Sequence, residues 1–146
     1  VYQRYMHTSA HLGLKMLVSN PDLVRPDGKD SPMPGRLGEY YQSIGGEVTY
    51  VGKPYPLIYD HALSILREEF SITDPKRVCA IGDVMYTDII GAKENNMDSA
   101  LVLDGVHADD LEIQQGAGKG PEDSKLEMFF KNYNYLPTFA IDHFKW

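Results

Sequence analysis

Two carboxylates stand five residues apart in Gly82-Asp83-Val84-Met85-Tyr86-Thr87-Asp88, directly after the apolar run Val78-Cys79-Ala80-Ile81. A short apolar run closed by glycine reads as a buried strand, so Asp83 is delivered at the carboxyl end of a strand, where open α/β sheets bind their ligands. Hard oxygen donors there suit Mg2+, which takes one or two protein carboxylates and completes its shell with water and phosphate oxygens. Asp88 has a second reading, as the cap of the helix that follows. Gly52-Lys53-Pro54 repeats the arrangement at the end of another apolar stretch, residues 48–51. The glycine lets the backbone come close to a ligand, and the lysine is a point cation able to neutralise a phosphoryl group. Alone, that tripeptide is an ordinary surface turn; one strand-helix-strand unit ahead of Asp83, it gains weight.

Other signals are weaker. Gly116-Ala117-Gly118-Lys119-Gly120 lacks the features of a phosphate-binding loop, with Ile113 where the first glycine belongs and Gly120 in place of Ser or Thr. His7 and His11 have a zinc-binding spacing, but Thr8 stands where a zinc protease carries glutamate, and both read as surface residues. His107 follows a strand and sits at the rim of the expected site, which leaves substrate contact open, while His143 has no legible role. Asn20 and Asp22 flank Pro21; a turn accounts for them, since both side chains bond their own backbone readily.

The elements that must position these residues follow from periodicity. A helix over residues 2–15 stops near Gly13, and a short strand over 16–18 runs into Asn20-Pro21. Leu37, Tyr40, Tyr41 and Ile44 mark a second helix closed by Gly45-Gly46, followed by the strand 48–51. The clearest helix spans 55–70, with Ile58, Ala62, Ile65, Leu66 and Phe70 on one face. Then come a strand over 78–81, a helix over 87–95, a strand over 100–103, a glycine-rich loop over 112–123, a helix over 124–131 and a last strand over 138–141. Strands alternating with helices predict an α/β fold with a parallel sheet covered on both faces.

Composition narrows the function classes. The 146 residues are 42% hydrophobic and 24% charged, as in a globular protein with a core of ordinary size. A net charge of −7 with no basic run argues against a nucleic-acid partner. The single cysteine, Cys79, lies in an apolar run, reads as a buried thiol, excludes an internal disulfide and suits a reducing compartment. No stretch approaches the roughly 18 consecutive apolar residues of a membrane span, and no signal-peptide pattern is present, so a cytoplasmic location and no membrane partner are expected.

The order Asn20-Pro21-Asp22, Gly52-Lys53-Pro54-Tyr55-Pro56, Gly82-Asp83 with Thr87-Asp88, and Leu103-Asp104-Gly105-Val106-His107 resembles the class IIA phosphatases of the haloacid dehalogenase superfamily, of the N-acetylglucosamine-phosphate and 4-nitrophenyl phosphatase type. The resemblance covers nearly the whole chain. It implies a Rossmann-like parallel core, with residues 1–49 as the tail of an α/β cap domain and 50–146 as the C-terminal half of the core. It also implies a Mg2+-dependent phosphomonoesterase acting on a small organic phosphate, in which Lys53 neutralises the phosphoryl group, Asp83 ligates the metal directly, and Asp88 supports the metal shell or holds the lysine. Asn20, Asp22 and Gly52 become substrate-side residues, and pairing of copies through the cap becomes possible. The superfamily's nucleophile motif, Asp-x-Asp-Gly-Thr, occurs nowhere in the sequence; the nearest match is Asp27-Gly28. The expectation is therefore a chain truncated at its N-terminus, complete at its C-terminus and inactive alone, with a non-catalytic binding or assembly module as the alternative.

Overall fold

The computed structural model describes residues 2–23, 25 and 32–145, so Asp27-Gly28 lies outside the described residues. The chain divides into two compact units, Val1–Ile58 and Tyr59–Trp146.

In the first unit α1 (Tyr2–His11) ends where Gly13 adopts φ +67°, a left-handed conformation that glycine takes without a Cβ penalty. β1 (Lys15–Val18) follows, then α2 (Pro34–Ser43), whose proline occupies the helix's first turn, where its missing N–H costs nothing. β2 (Glu47–Tyr50) pairs with β1 in parallel, from Lys15 against Glu47 to Val18 against Tyr50. Tyr41 is the buried anchor: its hydroxyl donates to the Leu14 carbonyl at 2.7 Å, and its ring fills the space beside Gly46, where a Cβ would lie 2.3 Å from a ring carbon. α3 (Pro56–Phe70) starts at the boundary between the units.

The second unit holds a three-stranded parallel sheet in the order β3 (Cys79–Gly82), β4 (Asp98–Val102), β5 (Phe139–Ile141). A π-helical turn, Met85–Ile89, leads straight into α4 (Ile90–Glu94), and α5 (Asp123–Phe130) precedes β5. β4 is central and the most buried strand, with Ser99, Ala100 and Leu101 inside. One core cluster joins the sheet to the turn: Met85 and Ile89 pack with Leu101, Leu103, Leu111 and Phe129. Burial of such side chains stabilises the unit by roughly 1.5–3 kcal/mol each.

The α/β class and the parallel pairing are as the sequence predicts, and three details differ. The helix expected over 87–95 begins earlier, at Met85, with a π-helical turn. Edge strand β3 is less covered than central β4: Cys79 and Ile81 share a face of β3 and both are exposed, Ile81 at 49%, whereas Ser99, Ala100 and Leu101, which alternate between the two faces, are buried. The buried-thiol expectation fails: Cys79 is exposed on β3, which among the described residues is an edge strand. α3 also departs, since Tyr59 is its buried residue while Ile58, Ile65 and Phe70 are exposed. Among the described residues no helix is long and apolar enough to cross a membrane.

Leu101, fully buried in the cluster, carries the largest expected penalty. Leu101→Ala should lower the unfolding free energy by about 2–5 kcal/mol in urea titrations. Phe70→Ala, at a position 62% exposed, should change it by about 0.5 kcal/mol.

Candidate active site

The parallel register sets the geometry of the second unit's site. Gly82 lies opposite Leu101, so the chain leaving β3 and the chain leaving β4 emerge side by side. Asp83 leaves β3 and its Oδ2 accepts the Val106 backbone N–H at 2.9 Å. Among the described residues the other carboxylate oxygen has no hydrogen bond. Close approach is possible because residue 105 is glycine: a Cβ there would lie 2.3 Å from both Cβ and Oδ2 of Asp83. Asp83 also lines an open groove of about 540 Å3 with Cys79, Ile81, Val102 and Phe144.

Asp88 is 4% exposed, and its Oδ2 turns back to accept the Val84 N–H at 3.1 Å. Gly82 again makes the room, since a Cβ there would meet the Asp88 carboxyl carbon at 2.2 Å. Asp88 lies within the helical stretch that starts at Met85 and bonds back to the residue before that stretch, so it does not cap a helix that follows, as a cap at its own position would. The remaining polar groups of the turn are tied down from elsewhere in the unit. Met85 N–H donates to His107 Nε2 at 3.2 Å, the Tyr135 hydroxyl donates to the Met85 carbonyl at 3.0 Å, and the Tyr59 hydroxyl reaches the Thr87 carbonyl at 3.4 Å. Thr87 Oγ1 is the one buried side-chain polar atom without a hydrogen-bond partner among the described residues. Burial first, then the Asp88 and Glu94 carboxylates, pushes the Tyr59 hydroxyl up to about 12.

No group of three His, Cys, Asp or Glu side chains converges among the described residues. That donor set does not make a closed zinc site, which needs four ligands. It fits a hard cation that takes one carboxylate oxygen here and fills its shell elsewhere, as Mg2+ does.

In the first unit the structure brings Asn20, Asp22 and Gly52 together and places Lys53 next in line. The Val51 N–H donates to the Val18 carbonyl at 2.9 Å, extending the β1–β2 pairing to the strand ends. Gly52 then lies so close to Ser19 and Pro21 that a Cβ would meet Pro21 Cδ and the Ser19 carbonyl oxygen, each at 2.5 Å. Asn20 Oδ1 accepts the Asp22 N–H at 3.2 Å, closing a turn, and the Asp22 carbonyl accepts the Gly35 N–H at 3.1 Å. Lys53 is exposed, in a turn closed by the Tyr55 N–H on the Gly52 carbonyl at 3.0 Å. Lys53 thus belongs to the first unit, while Asp83 and Asp88 belong to the second.

Sequence reasoning placed His107 at a rim, whereas the structure buries it at 4% exposure. Nothing in the spacing of the sequence marks Tyr59 or Tyr135 as partners of the turn. For Val106 a signal existed, because a glycine directly after an acid at the end of the next parallel strand marks a close approach. His143 gains a partner: its Nδ1 lies 2.6 Å from Oδ2 of the buried Asp104, which also accepts the Gly118 N–H at 3.3 Å.

The sequence model of the HAD-hydrolase-like family matches residues 50–122. Mouse chronophin is 33% identical over 111 residues, covering 72% of this chain and 36% of that protein. A dihydroxyacetone phosphatase of Corynebacterium glutamicum is 30% identical over 105 residues, with 70% and 36% covered. The crystal structure of a haloacid dehalogenase-like hydrolase from Brucella suis matches 99% of this chain and 49% of its own length, with a TM-score of 0.70 and 24% identity. The chain thus spans about a third of these curated relatives and about half of that solved structure.

Two outcomes test the site's construction. Gly105→Ala should destabilise the protein by roughly 1–3 kcal/mol, because the new methyl group meets Asp83, and should displace the Val106 amide resonance. Tyr59, with its hydroxyl raised from 10.0 to about 12, is neutral in the folded protein where the unfolded chain ionises. Its contribution is complete below pH 10 and disappears as pH rises through about 12. Tyr59→Phe should remove that part of the alkaline loss, read by chemical denaturation across the same range.

Proposed function

The chain belongs to the HAD-hydrolase-like family, and on that premise we propose that it forms part of a class IIA, Mg2+-dependent phosphomonoester hydrolase acting on a small organic phosphate. The observation that carries this reading is the aim of Asp83: a carboxylate at a parallel strand end, one oxygen fixed by the Val106 N–H and the other without a hydrogen bond among the described residues. Mg2+, when bound, would neutralise charge on the phosphoryl oxygens. Asp83 supplies a hard oxygen ligand whose orientation is set before binding, so little reorganisation accompanies the reaction. Asp88 acts one step back, holding the Val84 N–H and so the curve of the turn that presents Asp83. Lys53 supplies a cation for the phosphoryl group, and Asn20, Asp22 and Gly52 shape the strand ends beside it on the substrate side. These are charge-stabilising and positioning roles, which make up most of phosphoryl-transfer catalysis.

No Asp-x-Asp occurs in these 146 residues, so the attacking carboxylate of such a hydrolase has to come from outside them. The same fact favours a second reading, a binding or assembly module without turnover. The names of relatives support the first, a dihydroxyacetone phosphatase being 30% identical over 105 residues. The deciding experiment is an assay on p-nitrophenyl phosphate with Mg2+, comparing the 146-residue chain with the product of the uninterrupted reading frame that contains it. The chain alone should not turn over. The complete product should, with Asp83→Asn and Lys53→Ala each reducing kcat by about 100- to 1,000-fold. Near-full rate in either variant would sink the roles given to Asp83 and Lys53, and ester binding without hydrolysis by the complete product would establish the module.

A further inference from the structure

His107 is 4% exposed, yet both ring nitrogens are engaged. Nε2 accepts the Met85 N–H at 3.2 Å, and Nδ1 lies 2.9 Å from Asp110 Oδ2. A ring nitrogen that accepts a hydrogen bond carries no proton, so in the neutral ring the proton sits on Nδ1 and is donated to Asp110. The opposite tautomer would set one N–H against another at Met85. Phe129, Tyr86 and Tyr133 surround the ring, with centroids 5.0, 6.2 and 6.4 Å away, which holds its plane.

The neighbouring residue, Val106, donates its N–H to Asp83. Two consecutive residues after β4 therefore grip the strand-to-helix turn on either side of Val84: Val106 at the Asp83 carboxylate, His107 at the Met85 backbone. Asp88 holds Val84 between them. With the Met85 N–H released, Tyr135 and Tyr59 still hold the Met85 and Thr87 carbonyls, but the backbone next to Val84 loses the constraint nearest Asp83, and the direction of its carboxylate is less closely set. We propose that His107 is a positioning residue for Asp83, and that Asp110 makes it one by fixing the Nδ1–H tautomer. The proposal deepens the metal-site reading and rests on Asp83 being a metal ligand. Outer groups that orient metal ligands typically contribute 10- to 100-fold in metal affinity.

Asp110 offers a clean test, because its side chain is 63% exposed and its replacement leaves the core intact. The full 146-residue chain, 15N-labelled, is first examined without metal by long-range 1H–15N correlation of the His107 ring and by amide exchange at Met85. The Nδ1–H tautomer and a protected Met85 amide are expected. Mg2+ is then titrated, following the Val106 amide, in the parent chain and in Asp110→Ala, Asp110→Asn, His107→Ala and Asp83→Asn. Asp110→Ala should weaken Mg2+ binding about tenfold and speed Met85 exchange at an unchanged unfolding midpoint. Asp110→Asn, which keeps an acceptor oxygen, should recover most of both. A purely structural role would not produce that rescue. An Nε2–H tautomer in the parent chain overturns the proposal. So does unchanged Mg2+ affinity in both Asp110→Ala and His107→Ala while Asp83→Asn is impaired. Unchanged affinity in Asp83→Asn instead overturns the metal assignment of Asp83, and the positioning role falls with it.

Discussion

The arrangement around Asp83 depends on one contact between two backbone segments, the approach of residues 105 and 106 to the carboxylate leaving the neighbouring strand. Parallel pairing brings the two strand ends level, Gly82 opposite Leu101, and the missing Cβ at Gly105 lets the Val106 N–H come within 2.9 Å of Asp83 Oδ2. A hydrogen bond to a charged group is worth about 1.5–3 kcal/mol, enough to hold one side-chain orientation against rotation. The consequence is directional. One carboxylate oxygen is committed to the Val106 N–H, and the other has no hydrogen bond among the described residues.

That contact works because the turn beyond it is fixed at many points. Val84 N–H, Met85 N–H, and the carbonyls of Met85 and Thr87 are met by Asp88, His107, Tyr135 and Tyr59 in turn. Asp88 belongs to the turn itself and the other three partners come from separate stretches of the second unit, so the turn is held at several points. Tyr59 needs its own gap to get there: a Cβ at Gly91 would lie 2.0 Å from the Tyr59 hydroxyl oxygen. The first unit uses the same device on a smaller scale, with Gly52 leaving space for Pro21 at the ends of β1 and β2.

Much of this was legible in the sequence, for local reasons. Apolar runs bounded by glycine gave the strands, and Gly13 and Gly45 both adopt the positive φ expected of helix stops, +67° and +87°. The acid after β3 and the glycine-lysine after β2 stand out because residue type and position at a strand end coincide. The rest was hidden because it depends on partners. The apolar stripe of α3 is visible in the spacing, but spacing does not say what covers it, and Ile58 and Phe70 are exposed. Cys79 looked buried because its neighbours are apolar, yet strand order puts it on an edge. His107 could not be linked to Met85 across 22 residues without the fold that joins β3 to β4.

The open face of β3 gives the protein a practical handle. Cys79 is the chain's only cysteine, it is exposed, and it lines the same groove as Asp83. Cys79 and Ile81 share a face of β3, and at about 3.3 Å per residue the backbone of Cys79 lies roughly 13 Å or less from that of Asp83. A fluorophore or nitroxide attached through the native thiol would therefore sit within reporting distance of the acid without any engineered attachment point, making the edge strand a built-in ruler for whatever enters the groove.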